Sequence, residues 1–201
     1  MTVWQLEKTE TGGWIAKQIH EIEGKDPDNT ARKAAKLVIK YLGSLGYDKK
    51  LFVYGDPTTR QRNTIDEEKR SFLDLFLLEF QIANVITETR MFSRAPIVSI
   101  SGDFINAILE GVVDGIEMKI HENCKTSIND YIVTKEDKDG GMLKERETNA
   151  QKQSYEKNGH MLDTLRYFIC WVFEEEFNQF RDRFTDYSDF EPHTNDLMGG
   201  I

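Results

Sequence analysis

Four consecutive apolar residues, Leu51-Phe52-Val53-Tyr54, run directly into Gly55-Asp56-Pro57, and no other stretch constrains the fold as tightly. A short continuous apolar run closed by turn residues is a strand buried on both faces. Such a strand needs a sheet with helices on two sides. It also leaves a carboxylate, Asp56, at its carboxyl end, where ligands collect in open α/β sheets.

The chain before this strand supplies partners for it. Residues 2–8 and 13–22 each alternate apolar and polar, and Thr11-Gly12-Gly13 between them is turn chemistry, which predicts a hairpin. Asp26-Pro27-Asp28-Asn29-Thr30 is a helix start, Ala31 to Leu45 keep the helical spacing, and Gly46 ends it. A strand, helix, strand order favours parallel pairing of the flanking strands. Residues 57–65 form a polar loop carrying Arg60 and Arg62.

Further on, the pattern predicts a helix over 66–82, a strand over 84–92, a helix over 97–109, a strand over 115–120 and a helix over 127–133. Residues 137–141 are a turn, and the polar stretch 142–158 suits a projecting hairpin. From Gly159 an apolar helix runs to about residue 183, with Leu162, Leu165, Ile169 and Val172 at core spacing. His160, Asp163 and Tyr167 share another of its faces. An acid on a packed helix is a rigid mount for a metal ligand. A first-turn acid also complements the helix dipole, so these residues alone leave both readings open.

Length and charge narrow the function. The 201 residues suit one domain of ordinary core size, residues 1–186, followed by a tail, 187–201, without apolar periodicity. No apolar run approaches a membrane span and no signal peptide is present. Cys124 and Cys170 are too few for a disulfide framework, which suits a reducing compartment. His20, His121 and His193 lack ligand spacing, and no histidine is placed to activate Cys124. The net charge of −9 argues against a free-standing DNA-binding module. A catalytic module presented to DNA by another domain is not excluded.

The pattern Tyr54-Gly55-Asp56-Pro57 followed by Gly159-His160-x-x-Asp163-x-x-Arg166-Tyr167 resembles the nuclease domain of the large terminase subunit of tailed phages. Cys124 to Asp130 resembles that family's intervening helix, and Gly141 to Lys144 its following hairpin; together the likeness covers most of residues 1–175. It implies an α/β, RNase H-like mixed sheet flanked by helices, and a two-metal endonuclease using Mg²⁺ or Mn²⁺. Asp56 and Asp163 would be the metal-binding acids. His160 would be a weak ligand, proton carrier or orienter, with Arg166 and Tyr167 behind them on different sides, one bracing the acids and the other packed on the sheet. Arg60, Lys144 and Arg146 would meet DNA phosphates.

The implied partners are double-stranded DNA, a terminase ATPase domain, the small terminase subunit and the portal protein, in a host cytoplasm with phage or prophage origin. Where the family has an acid-bearing opening strand, this sequence starts at Met1, and it holds no GxxxxGK[ST] loop. The resemblance thus implies a fragment lacking the motor, the opening strand and the first catalytic acid, with weak or no activity alone. Two alternatives remain: an acidic interaction module in phage assembly, and another RNase H-like nuclease such as a junction resolvase or integrase. The His160 to Tyr167 pattern disfavours the latter.

Overall fold

The computed structural model describes residues 1–24, 29–61, 69–138, 140–148, 154–156 and 158–185. In chain order the elements are β1 (Thr2–Lys8), β2 (Trp14–Glu21), α1 (Ala31–Ser44), β3 (Leu51–Val53), α2 (Phe72–Ile82), β4 (Thr87–Thr89), α3 (Val98–Leu109), β5 (Ile116–Ile120), α4 (Lys125–Val133), β6 (Lys135–Glu136), β7 (Met142–Leu143), β8 (Arg146–Thr148), β9 (Ser154–Glu156), α5 (His160–Val172) and α6 (Glu174–Thr185). The chain is mixed α/β. The expected tail 187–201, and with it His193, lies outside the described residues, as does Arg62.

The strands form two larger pieces. β1 and β2 pair antiparallel as the hairpin pattern predicts, and β2 pairs in parallel with β5, giving the order β1-β2-β5. Gly13 is needed there, because a Cβ at that position would meet the Gly115 carbonyl oxygen at 2.6 Å. β3 pairs in parallel with β4. The parallel partner expected for β3 was β2. Instead each takes a different partner, and β1 and β3 are left as edges.

Helices pack on both sides, but the run at 51–54 is not buried on both faces as expected: Phe52 is 39% exposed, and Arg90 rather than a helix stacks over its ring. On one face Ala31, Ala34, Ala35, Val38 and Leu42 of α1 pack with Phe76 and Phe80 of α2, and Leu51 and Val53 lie against them. On the other, Phe104, Ile105 and Ile108 of α3 pack with Leu165, Phe168 and Ile169 of α5 and Phe177 of α6, joined by Trp4 and Tyr54.

Several boundaries differ from the sequence pattern. α2 starts at Phe72 because Ser71 and Asp74 form a reciprocal capping box, so the helix cannot extend back to 69–71. The strand expected over 84–92 contracts to Thr87–Thr89, since Asn84 turns at φ 56 to close α2. α4 begins at Lys125. Within the stretch 142–158 β8 pairs antiparallel with β9, the expected hairpin over a shorter span, while β7 pairs back with β6. The long helix expected to 183 breaks at Phe173 (φ −111, ψ 47). The break turns Phe177 and Phe180 onto Phe104, with ring centroids 5.4 Å away in each case. A straight helix has no reason to present both rings there.

Candidate active site

Asp56 follows β3 and opens a short 3₁₀ turn, Pro57–Arg60. Its Oδ1 accepts from the Thr58 amide at 2.8 Å, and its carbonyl accepts from the Thr59 amide at 3.0 Å and hydroxyl at 2.6 Å. Proline at the next position sets φ for the turn and has no amide to satisfy. The carboxylate is thus fixed by local chemistry that the sequence states openly.

Asp163 depends on longer-range structure. Gly159 precedes α5 in the left-handed region (φ 98). The first amides of α5 are capped by another helix: the Asp130 carboxylate on α4 accepts from Gly159 N at 2.6 Å, Met161 N at 2.8 Å and Leu162 N at 3.4 Å. Asp130 is only 4% exposed. α4 is held to the sheet in turn, because Glu21 of β2 accepts from the Thr126 and Ser127 amides at 2.9 and 2.7 Å. Buried Gln18 of β2 donates to Ser127 Oγ at 2.6 Å and accepts from the Tyr131 hydroxyl at 2.9 Å. These contacts place the start of α5 beside the sheet.

Tyr167 lies within electrostatic reach of both acids. Its phenol is pushed up to about 12 by burial first, then by the charges of both Asp56 and Asp163, with Asp56 also in hydrogen-bonding reach. The charges of two carboxylates more than a hundred residues apart in sequence both bear on one hydroxyl. Arg166, 3% exposed, fixes Asp163 from below: its Nη1 donates to Asp163 Oδ1 at 2.8 Å, its Nε to Ser101 Oγ at 2.7 Å and its Nη2 to the Pro96 carbonyl at 3.0 Å. Arg166 thus takes the bracing place that the resemblance implies for one of the pair, while Tyr167 is part-buried within electrostatic reach of both acids.

Lys144, between β7 and β8, reaches in above. Its Nζ donates to Asp163 Oδ2 at 2.8 Å and to Glu156 Oε2 at 2.9 Å. Partial burial opposes its charge, but the two carboxylates outweigh burial and raise its pKa. The same ammonium hydrogen bond holds Glu156 below the usual carboxylate range. Arg146 adds positive charge near Glu156. Arg60 is exposed at the end of the turn that Asp56 opens.

His160 turns aside: its exposed Nε2 lies 3.2 Å from the Glu156 carbonyl. Cys124 is buried, which pushes its thiol up and away from nucleophile chemistry. Among the described residues, no group of three or more His, Cys, Asp or Glu side chains could hold a metal ion. Two carboxylates fit a looser arrangement, because Mg²⁺ is commonly held by one or two carboxylates with water and substrate phosphate completing the shell. Asp163 fits this only when Lys144 moves from Oδ2.

Asp130 and Glu156 were not singled out by sequence reasoning as site residues. A carboxylate between Asn129 and Tyr131 on a short helix carries no signal of capping a helix that starts about thirty positions later. Comparison with protein-family models, with curated proteins and with solved structures returns no match. Among the described residues no helix is long and apolar enough to cross a membrane.

Proposed function

We propose that this chain is the RNase H-like nuclease portion of a phage terminase large subunit, hydrolysing phosphodiester bonds in double-stranded DNA during genome packaging. One observation supports the reading: Asp56 at a strand tip and Asp163 on α5 both lie within electrostatic reach of Tyr167. Asp56 and Asp163 would hold Mg²⁺ or Mn²⁺ between them. When bound, such cations activate the attacking water and stabilise the leaving oxygen.

The chain's own residues perform the positioning. Tyr167 lies beside the Asp56 carboxylate, and buried Arg166 holds Asp163 by Oδ1, leaving Oδ2 to Lys144. Lys144 has two partners of opposite charge and a flexible stem. When Asp163 takes a cation, Lys144 keeps Glu156 and can turn its ammonium to a DNA phosphate. Arg60 and Arg146 flank the site as further phosphate contacts. A motor domain, a small terminase subunit and a portal protein would be the partners of such an enzyme, in the cytoplasm of the host.

The test is cleavage of duplex DNA by the purified chain with Mn²⁺. The reading expects slow, Mn²⁺-dependent nicking that disappears in Asp56→Ala and in Asp163→Ala. Nicking that survives both substitutions would sink it.

A second reading has its own support. Both oxygens of Asp163 are already held by cations, Arg166 and Lys144, and the net charge of −9 repels DNA. An acidic interaction module of phage assembly would show neither Mn²⁺ binding nor cleavage.

A further inference from the structure

A groove of about 710 Å³ opens where α5 bends into α6 and reaches Trp14 at the start of β2. It stands apart from the acid pair, since Trp171 lies eight positions beyond Asp163 on α5, a rise of roughly 12 Å. The bend brings its lining together. Phe173 leaves helical geometry, and the chain restarts as α6 with Glu174-Glu175-Glu176 in its first turn. Trp14, Trp171, these three glutamates and, two turns on, Asp182 line the groove, and no lysine, arginine or histidine does.

The glutamates carry more charge than the helix start uses. One or two acids complement a helix dipole. Here three adjacent side chains repel one another, and among the described residues none of them has a hydrogen bond or ion pair. Asp182 keeps a cation of its own, with Arg181 Nη2 at 3.2 Å.

The aromatic lining adds a second, independent preference for cations. Trp14 is 38% exposed, open for so large a ring. Lys8 Nζ lies 5.7 Å from its ring centroid, and Arg90 Cζ lies 5.2 Å from that of Trp171. Both indoles therefore already draw a basic side chain of their own chain, as the negative face of an aromatic ring does.

The spread of the carboxylates tells which cation fits. Among the described residues no three acidic side chains gather closely enough for one metal ion. From Glu174 to Asp182 α6 rises roughly 12 Å, the reach of about four residues of extended chain. A segment with several basic side chains matches that span, whereas a single small cation meets only part of it. The net charge of −9 also steers a basic segment inward. This chain holds no such segment in reserve: residues 186–201, which follow α6, contain no lysine or arginine, and no other undescribed stretch contains more than one.

We infer that the groove between the start of β2 and the α5–α6 bend docks a lysine- and arginine-bearing segment of a partner polypeptide, held by the indoles of Trp14 and Trp171 and the carboxylates of Glu174, Glu175 and Glu176. The inference uses neither Asp56 nor Asp163 and is independent of the nuclease reading.

Nuclear magnetic resonance of the full chain tests it, following the three indole N–H signals as acetyl-Lys-Arg-Lys-Arg-Lys-amide is added. Trp4, whose indole donates to Thr2 Oγ1 at 2.9 Å, is the internal reference. The Trp14 and Trp171 signals should move saturably while Trp4 stays, and the affinity should fall about tenfold or more from about 50 to about 500 mM salt. Glu174→Gln with Glu175→Gln should weaken binding about fivefold or more, and Trp14→Leu about threefold or more. Asp48→Asn with Glu122→Gln removes the same charge at other exposed positions and should change it by less than about twofold. Equal weakening by that control pair would overturn the inference, as would spermine binding as tightly as the peptide, or no effect of the peptide. Shifts centred on Tyr167 instead of the two indoles would place the peptide at the acid pair and overturn it too. Indole shifts that grow with protein concentration alone would assign the groove to a second copy, and likewise overturn it.

Discussion

Replacing Asp130 with alanine should be among the most damaging single changes near the site, although Asp130 contacts neither Asp56 nor any proposed substrate. Its buried carboxylate accepts from three amides at the start of α5. Losing a helix N-cap costs about 1 kcal/mol, up to about 2. A buried amide left without a partner costs about 1–3 kcal/mol. The Leu162 contact is long and its amide only half-buried, so two amides dominate. Together these give a loss of about 2–4 kcal/mol. For a chain of this size that lowers the melting temperature by roughly 5–15 °C. Urea denaturation followed by tryptophan fluorescence measures it, since Trp171 sits on α5. Asp130→Asn keeps one acceptor oxygen and should lose about half as much. The reasoning fails if Asp130→Ala costs less than about 1 kcal/mol, or if the asparagine variant is the less stable of the two.

Three further outcomes follow from the same geometry. Tyr167 should titrate near 12, and Asp56→Asn or Asp163→Asn should lower that value, read by phenolate absorbance against a Tyr167→Phe control. The sign for stability follows: once pH passes the ordinary tyrosine value of about 10, the unfolded chain releases a proton the folded chain keeps, so stability falls until the folded phenol ionises. A Tyr167 that titrates at its ordinary value would refute the convergence of the two acids. Gly159→Ala should cost about 1–2 kcal/mol by denaturation, because φ 98 is strained for alanine. Its Cβ would also lie 3.3 Å from Lys144 Cε. Lys144→Gln should tighten Mn²⁺ binding by up to about fivefold, since the half-exposed pair with Asp163 is worth up to about 1 kcal/mol; weaker binding would contradict the displacement of Lys144.

How much of this was legible in sequence differs between the two acids. Asp56 was fully visible, because a four-residue apolar run and a Gly-Asp-Pro turn fix both the strand and the carboxylate at its tip. Asp163 was visible as a helix residue, but the placement of its helix beside the sheet depends on Gln18, Glu21 and Asp130, whose partners lie about thirty to over a hundred positions away. Spacing along one element carries no information about such contacts. The same holds for pairing: alternation marks β2 and β3 as strands but not which neighbours they take. The break at Phe173 was hidden because Phe173 and Phe177 continue the helical spacing of apolar residues across it.

The proposed function depends on Asp56 and Asp163 sharing a divalent cation. Titrating Mn²⁺ into the purified chain while following the electron paramagnetic resonance signal of the free ion tests this directly. Saturable binding should appear in the wild type and be lost in both Asp56→Ala and Asp163→Ala. Binding that persists unchanged in either variant, or none in the wild type at any concentration, would contradict it.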